Sequence, residues 1–586
     1  MSAVHRPSVS TAVTPQTVAE AYLTALKTRG VDWIFGNAGT DFAPVIEAIA
    51  SRGEEGLQMP VPVEVLHETV AVAMAHGYYL MTGRPQCAMV HVNVGAANGL
   101  MGIINACRGN VPMLFASGRT PLTEDGRLGS RNAPIHWGQE MFDQGGMLRE
   151  FVKWDHEIRA GEQIVDLIDR SLAISQAEPK GPVYLSLPRE VLAERLPDDF
   201  TMAFESVQSV PSAPHPDPGA IEHAAELIAG AKNPLVITSG GNDALFDVLG
   251  DFAERFAIPV AQFWRMSTAI STQHPFYAGE TPRPLLANAD VVIVLDTIVP
   301  WMPGRMPTAP GAKVIQIGAD PMFSGLPVRS FAGDVTITAT PATAISALGK
   351  ALENHKLAES PDTLARRAVL VPRLAERRQQ ELAAGADPGA GDAMTPEFMT
   401  RTLSAVLRES AGDDATIVNE LGLATQQLEL THAKSFYGPA TSGGLGWGGG
   451  AAIGAKLGAP DRLVVWATGD GSYIFSNPAA CHHACASLGL GLLTVVADNR
   501  VWNAVRRSTI AVYPQGAAAR TKKMPLSSLE PAPDYRKFVE AYGGHGESVS
   551  SPDSLRGALE RGVELARSGK QALVSVHCSY PDATNH

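Results

Sequence analysis

The sequence predicts an α/β fold of three domains, each built on a mostly parallel sheet. Three observations carry this expectation. Apolar runs of about four to eight residues recur along the chain, and helical stretches follow them. The runs are apolar throughout rather than alternating, the pattern of strands covered on both faces, as in parallel sheets. Two breaks in composition, one rich in Pro, Ser and Asp and one charged and then Gly- and Ala-rich, divide the chain into three comparable parts. Strands alternating with helices imply layers joined by right-handed crossovers.

Residues 1–13 read as a loose tail, and the first domain is expected over 14–196. Its strands fall at 31–35, ending at Gly36, and at 63–68, before a small-residue helix at 69–83. Further strands fall at 85–92, 111–116 and 182–187. Residues 93–99 read as a loop before a helix. A linker at 197–218 ends in PSAPHPDP. The middle domain, 219–353, carries strands at 235–238, 258–261, 291–296 and 313–317. The second linker, 354–393, is charged and compatible with helix through Leu382, then turns to AAGADPGAGDA. The third domain, 394–586, carries strands at 416–418, 463–467, 492–497 and 572–576.

The bulk numbers exclude several functions. At roughly 150 residues per domain, 586 residues suggest three or four domains. Apolar residues at 45% and charged residues at 18% give an ordinary globular balance, with enough chain to bury several cores. A net charge of −13 argues against nucleic acid or an anionic membrane as partner. Five cysteines, an odd and sparse set, fit a reducing compartment. The start MSAVHRPSVSTAVTPQT lacks the apolar core of a secretory signal. No run approaches the roughly eighteen apolar residues of a membrane span. The expected location is the cytoplasm.

The strongest motif lies in the third domain. The strand LVVWA runs directly into Thr468-Gly469-Asp470-Gly471-Ser472, and the strand at 492–497 runs into Asp498-Asn499-Arg500. Asp470 and Asn499 are 29 positions apart with helical sequence between them. In a parallel sheet both then sit at the carboxyl edge, where α/β sheets bind ligands. Mg²⁺ takes about six oxygen ligands and accepts a carboxylate beside carbonyl and phosphate oxygens. Asp470 offers the carboxylate and Asn499 an amide oxygen. Gly469 and Gly471 let the backbone approach a diphosphate, with N–H groups at a helix start. A lone GDG is most often a tight turn; the second, Asn-ending strand makes this pair specific.

This arrangement resembles the cofactor signature of the thiamine-diphosphate-dependent enzymes, among them benzoylformate decarboxylase, acetolactate synthase, pyruvate oxidase and the 2-hydroxyacyl-CoA lyases. The resemblance implies thiamine diphosphate and Mg²⁺ as cofactors. It implies Asp470 and Asn499 as metal ligands by side chain and Val501 by its carbonyl, with Gly469, Gly471 and Ser472 at the diphosphate. The spacing is slightly longer than in benzoylformate decarboxylase, which points to a short insertion near 478–485. Upstream, Thr441-Ser442-Gly443-Gly444-Leu445-Gly446 resembles the segment that holds the aminopyrimidine ring. There Leu445 matches the apolar wedge that bends the cofactor, and the Gly443 carbonyl would accept from the exocyclic amine.

Such enzymes activate the pyrimidine with a glutamate from their first domain, usually across a subunit interface. Glu68, between strand and small-residue helix, matches that residue. A carboxyl bonded to the pyrimidine ring nitrogen promotes the imino tautomer that takes the thiazolium proton. A glutamate favoured by a helix dipole is the plain alternative. His91 and Asn98, in Ala88-Met89-Val90-His91-Val92-Asn93-Val94-Gly95-Ala96-Ala97-Asn98, resemble the benzoylformate decarboxylase histidine and a nearby cofactor-side asparagine. Acetolactate synthases carry a small residue and a Ser-Gly-Pro-Gly run there. Thr40, in Gly36-Asn37-Ala38-Gly39-Thr40, stands at the place of a substrate-binding serine, and His274 resembles a second pocket histidine. His91 could shuttle protons near neutrality. A structural histidine is the competing view for both.

Other features carry less. In Cys481-His482-His483-Ala484-Cys485 only the cysteines share a helix face, which favours core packing over a metal. Ser239-Gly240-Gly241, and the Trp301, Arg305, Met306 set, could border a nucleotide; FAD or ADP in the middle domain stays open. Residues 502–507 and 513–531 could cover the pocket, with Arg506 and Arg507 facing a carboxylate or solvent. The resemblance spans nearly the whole chain. It implies attack on a 2-oxo acid or related carbonyl, loss of CO₂, and release of an aldehyde or ligation to a second carbonyl. His91 tilts the expectation toward a 2-oxo acid decarboxylase with carboligase activity. An acetolactate synthase-like carboligase, a 2-hydroxyacyl-CoA lyase and a non-catalytic relative are the alternatives. Gly36-Asn37-Ala38-Gly39-Thr40-Asp41 lacks the GxGxxG of a dinucleotide enzyme. A cofactor shared between subunits implies a homodimer or homotetramer.

Overall fold

Runs such as Val291–Leu295 (VVIVL) bury every residue, so both faces of their strands need cover, and helices supply it. The computed structural model describes residues 14–53, 58–202, 205–390, 393–521 and 524–580. The chain separates into two units, Met1–Pro211 and Ser212–His586.

The first unit holds β1 (Trp33–Asn37), β2 (Val61–Glu64), β3 (Cys87–Val90), β4 (Leu114–Arg119), β5 (Asp155–Glu157) and β6 (Val183–Pro188) in the order β2-β1-β3-β4-β6-β5. The second unit holds two sheets. One contains β7 (Pro234–Thr238), β8 (Val260–Gln262), β9 (Val291–Leu295), β10 (Lys313–Gly318) and β11 (Val335–Thr338), ordered β11-β10-β9-β7-β8. The other contains β12 (Ala415–Glu420), β13 (Phe436–Tyr437), β14 (Leu463–Gly469), β15 (Leu493–Asp498), β16 (His545–Val549) and β17 (Ala572–His577), ordered β13-β12-β14-β15-β17-β16. The pairings among these strands are parallel. The three-domain parallel α/β expectation holds. Each sheet has a central switch point in its strand order, between β1 and β3, β7 and β9, and β12 and β14. Such switch points open a crevice at the carboxyl edge, the general ligand position of doubly wound sheets.

Several boundaries differ from the sequence expectation. The first strand starts at Trp33, two residues late. The strand expected at 63–68 ends at Glu64, because the His67 ring turns back to accept from Thr69 N and caps the helix Glu68–Thr82. The strand expected at 85–92 stops at Val90. The stretch expected as a loop at 93–99 is already helix, Val92–Arg108. That helix packs its glycines on neighbours: a Cβ on Gly99 would lie 2.8 Å from Phe115, and one on Gly102 2.8 Å from Val72. Small residues here signal close packing rather than a turn. β5, β13 and β16 are short edge or near-edge strands without an apolar run, and the sequence gives them no periodic signal.

The charged stretch after the middle sheet forms one helix, Pro361–Ala383. Arg366 is buried in it and donates to Phe256 O at 2.7 Å and Ala257 O at 2.9 Å. Arg378 donates to Leu428 O at 2.8 Å. The helix therefore ties the middle sheet's helices to the segment after β12.

Cys481 and Cys485 lie buried on the helix Pro478–Ser487, as expected for core packing. Burial pushes the Cys485 thiol up to about 12. Among the described residues no three His, Cys, Asp or Glu side chains are grouped to hold a metal. His482 is clamped between the Tyr473 hydroxyl and Gln571 Oε1, each at 2.8 Å. Burial lowers it from 6.5 to about 4, and the Gln571 bond only partly offsets this. A histidine held neutral stabilises the fold above its unfolded value, and that contribution is lost as pH falls through the folded one. Thermal stability should therefore drop between pH 6.5 and about 4. His482→Gln should flatten that part of a melting-temperature profile.

Candidate active site

The first unit's switch point gathers the expected residues. Glu68 opens the helix Glu68–Thr82 and is buried there, with the positive end of the helix dipole beside it. Asn98 lies on the helix Val92–Arg108; its Nδ2 donates to Glu68 Oε2 at 3.2 Å. Thr69 Oγ1 in turn donates to Asn98 O at 2.9 Å. The amide thus holds one carboxyl oxygen of Glu68.

The loop after β1 enters a single 3₁₀ turn, Thr40–Phe42. This turn aims Asp41 at His91, which follows β3 directly. His91 Nδ1 lies 2.5 Å from Asp41 Oδ1, while Asp41 Oδ2 accepts from Val92 N at 3.1 Å. The other ring nitrogen, Nε2, lies 3.2 Å from Gln139 Nε2. Two glycines make room for the pair. A Cβ on Gly39 would lie 2.1 Å from His91 Nδ1, and one on Gly118 would lie 1.7 Å from Asp41 Oδ2. Gly118→Ala should therefore displace Asp41, costing roughly 1–3 kcal/mol as an overpacked site. Thermal denaturation would show the loss, with activity falling alongside. Thr40 Oγ1 lies 3.4 Å from His136 Nε2. Burial, then Arg189 and Arg131, lowers the His136 pKa and favours a neutral ring.

In the second unit, β14 delivers Asp470 to the first position of the helix Asp470–Phe475. The Asp470 carboxylate is buried. It accepts from Gly471 N at 2.8 Å, Asn499 N at 3.1 Å and Arg500 N at 2.5 Å. Asp470 and Asn499 therefore share one edge of the sheet, at the ends of adjacent strands β14 and β15. Asn499 Oδ1 accepts from Val501 N at 2.9 Å. Asp498 Oδ1 is buried with no hydrogen-bond partner. Burial pushes Asp470 up to about 6, and the Asp498 charge adds to the rise. Two neighbouring carboxylates, one with an unpartnered buried oxygen, make a donor set suited to a divalent cation. Trp502 roofs the turn: a Cβ on Gly471 would lie 2.3 Å from its ring. Ser472 is buried beneath.

Gly443 and Gly446 take left-handed φ values of 68° and 90°, which glycine alone adopts without strain. The Leu445 side chain between them is half-buried. Gly446 N and Gly448 N donate to the two oxygens of Glu420, at 2.7 and 2.6 Å. Glu420 is fully enclosed at the end of β12, and burial pushes it up to about 7 against the pull of these amides. It fixes the Gly-rich segment at the switch point.

The middle domain offers less. His274 Nδ1 accepts from Phe276 N at 3.1 Å, and Nε2 lies 3.8 Å from Glu254 Oε2, so both nitrogens face its own domain. Burial lowers its pKa. The Ser239-Gly240-Gly241 turn is internally bonded: Ser239 N donates to Thr297 Oγ1 at 3.0 Å and Gly241 N to Ser267 Oγ at 2.8 Å. Trp301 packs edge-on against Phe331 at 5.2 Å, and Arg305 is exposed. Residues 503–512 form an exposed helix, with Arg506 over the Tyr580 ring at 5.0 Å and Arg507 exposed.

Several residues of these clusters escaped sequence reasoning, among them Asp41, His136, Glu420, Asp498 and Gln139. Asp41 sits one position past Thr40, and an acid beside a Gly-rich loop could have marked it. Glu420 ends an apolar strand and carried a similar cue. Asp498 stands in the Asp498-Asn499-Arg500 stretch, where Asn499 alone carried an expected role. Gln139 comes from an irregular segment and had no signal.

Buried carboxylates stand beside Gly-rich turns at the switch points of two parallel sheets, the place where doubly wound α/β folds bind ligands. Residues 16–147, 221–348 and 420–576 match the N-terminal TPP binding, central and C-terminal TPP binding domains of the thiamine pyrophosphate enzymes. The chain belongs to the thiamine pyrophosphate enzyme family. It is 24% identical to a sulfoacetaldehyde acetyltransferase of Rhodobacter capsulatus, over 95% of this chain and 93% of that one. It is also 24% identical to a benzoylformate decarboxylase of Pseudomonas aeruginosa, over 94% and 97%. An acetolactate synthase large subunit of Haemophilus influenzae is again 24% identical, over 93% and 92%. A thiamine diphosphate-dependent 4-hydroxybenzoylformate decarboxylase of Rhodococcus jostii shares the fold with a TM-score of 0.75 at 22% identity, covering 97% of this chain and all of that one. No helix among the described residues is long and apolar enough to cross a membrane.

Proposed function

We propose that this chain carries out thiamine-diphosphate- and Mg²⁺-dependent cleavage or formation of a C–C bond next to a carbonyl. Its foremost activity is that of a 2-oxo acid decarboxylase with carboligase side activity. The observation that carries this choice is His91. It is an imidazole with one nitrogen on the Asp41 carboxylate and the other on the Gln139 amide. A decarboxylase must protonate a carbon after CO₂ leaves, and an oriented imidazole does that work near neutral pH.

The proposed roles are those the family resemblance implies, and the residues' places at the carboxyl edges of their sheets support them. Asp470 and Asn499 hold the metal by side-chain oxygens and Val501 by its carbonyl. Gly469, Gly471 and Ser472 border the diphosphate. The Gly443 carbonyl and the Leu445 side chain fix the pyrimidine end. Bound there, thiamine diphosphate supplies the carbon nucleophile and the electron sink. Glu68 exchanges a proton with the pyrimidine nitrogen, and Asn98 keeps its carboxyl oriented. His91 moves the substrate proton, and Thr40 lines the pocket. His274 belongs to the pocket only if its bond to Phe276 N is given up. The minimum active unit is a homodimer, or a homotetramer of such pairs, in the cytoplasm. Leu128 and Phe142, large apolar side chains exposed on the first unit, support burial against a second copy.

A second reading is acyl transfer to another carbonyl or acceptor. It is favoured by the acetyltransferase and acetolactate synthase relatives, which match as well as the decarboxylase does. The test is CO₂ release from a panel of aliphatic and aromatic 2-oxo acids with ThDP and Mg²⁺, with products identified by mass. Aldehyde from a single oxo acid supports the decarboxylase. A two-substrate product supports transfer. No turnover of any oxo acid would reject the proposed substrate class.

A further inference from the structure

We propose that Asp41 is a positioning residue that fixes the tautomer of His91, so that Nε2 is the ring atom that exchanges the substrate proton. The inference rests on the reading of His91 as the acid–base group and deepens it.

Asp41 Oδ1 lies 2.5 Å from His91 Nδ1, and its Oδ2 takes the Val92 N–H at 3.1 Å. Val92 starts the helix that follows His91, so one carboxylate holds both the ring and the backbone that carries it. Gly39 and Gly118 lie directly against the pair, so close that a Cβ on either would overlap it. A carboxylate only accepts hydrogen bonds. At 2.5 Å a bare Nδ1 would set lone pair against lone pair, so Nδ1 carries the proton and Nε2 carries the lone pair. Gln139 agrees: its amide nitrogen lies 3.2 Å from Nε2 and donates to it, while its Oε1 is buried without a partner. Turning that amide over would require an Nε2–H, which beside a protonated Nδ1 would make the ring an imidazolium. The charged and titratable groups near the ring are Asp41 and His136, with Arg131 and Arg189 acting on His136. An ionised Asp41 also stabilises the imidazolium formed when Nε2 takes a proton, as buried carboxylates do beside catalytic histidines.

The test is long-range ¹H–¹⁵N NMR on the full-length protein with ¹⁵N-labelled histidine. His91→Gln assigns the His91 signals. Asp41→Asn, a near-isostere, is compared with wild type for tautomer, kcat, KM and ThDP binding. Wild type is expected to show protonated Nδ1 and bare Nε2, and Asp41→Asn to show the reverse. kcat in Asp41→Asn is expected to fall by about 10²–10⁴-fold. KM and ThDP binding should stay within about threefold, a split that general loosening of the fold would not give. An Nε2–H ring in wild type overturns the proposal. So does an unchanged tautomer in Asp41→Asn, or full kcat in that variant while His91→Gln is inactive. If Asp41→Asn does not fold, the wild-type spectrum alone decides. Full activity of His91→Gln would instead reject the acid–base role of His91, with the Asp41 pair still judged by the spectrum.

Discussion

Glu68→Gln should cost about 10²–10⁴-fold in kcat, the scale of a lost general acid–base group. Two facts set that expectation. Glu68 is buried at a helix start, and Asn98 Nδ2 holds one of its oxygens at 3.2 Å. Glutamine keeps the size and the acceptor for Asn98, so the fold and cofactor affinity should change little. It cannot exchange a proton with the pyrimidine nitrogen. Steady-state turnover, alongside ThDP titration of the same preparation, separates the two effects. Asn98→Ala should follow in the same direction with a smaller loss, because it frees the carboxyl without removing it.

Asp470→Asn should have the largest effect on cofactor loading. Changes to the outer shell of a metal site cost about 10–100-fold in affinity, and loss of a ligand charge costs more. The Mg²⁺ concentration for half-maximal ThDP binding should rise by ~10²-fold or more. The Asp470 carboxylate also organises the turn, since it accepts backbone N–H groups from Gly471, Asn499 and Arg500. An amide oxygen can replace one of its acceptors but not both. Titrating Mg²⁺ against ThDP-dependent quenching of Trp fluorescence would measure the shift, with Trp502 packed on Gly471 as the near reporter.

The fold was legible where strands are buried on both faces. β9 and β14 are read directly from VVIVL and LVVWA. The polar strands β5 and β16 were not, because only their pairing with β6 and β17 makes them strands. The early start of the helix Val92–Arg108 was missed for a related reason. Glycine and alanine there serve contacts with Phe115 and Val72 that local propensity does not encode. For the clusters, residues within one motif were visible: Asp470 beside Gly471, Glu68 at a strand–helix junction. Pairings across distant segments were not. Gln139 reaches His91 over 48 positions, and Glu420 reaches Gly446 over 26. Such bonds are set by which strands flank the switch point, and the order of strands is a property of the whole sheet.

The most direct test of the account is isothermal titration of ThDP into the metal-free full-length protein, with and without Mg²⁺. Saturable binding near one ThDP per chain is expected, requiring Mg²⁺ and lost in Asp470→Asn. Absence of binding in wild type at saturating Mg²⁺, or binding indifferent to both Mg²⁺ and Asp470, would contradict it.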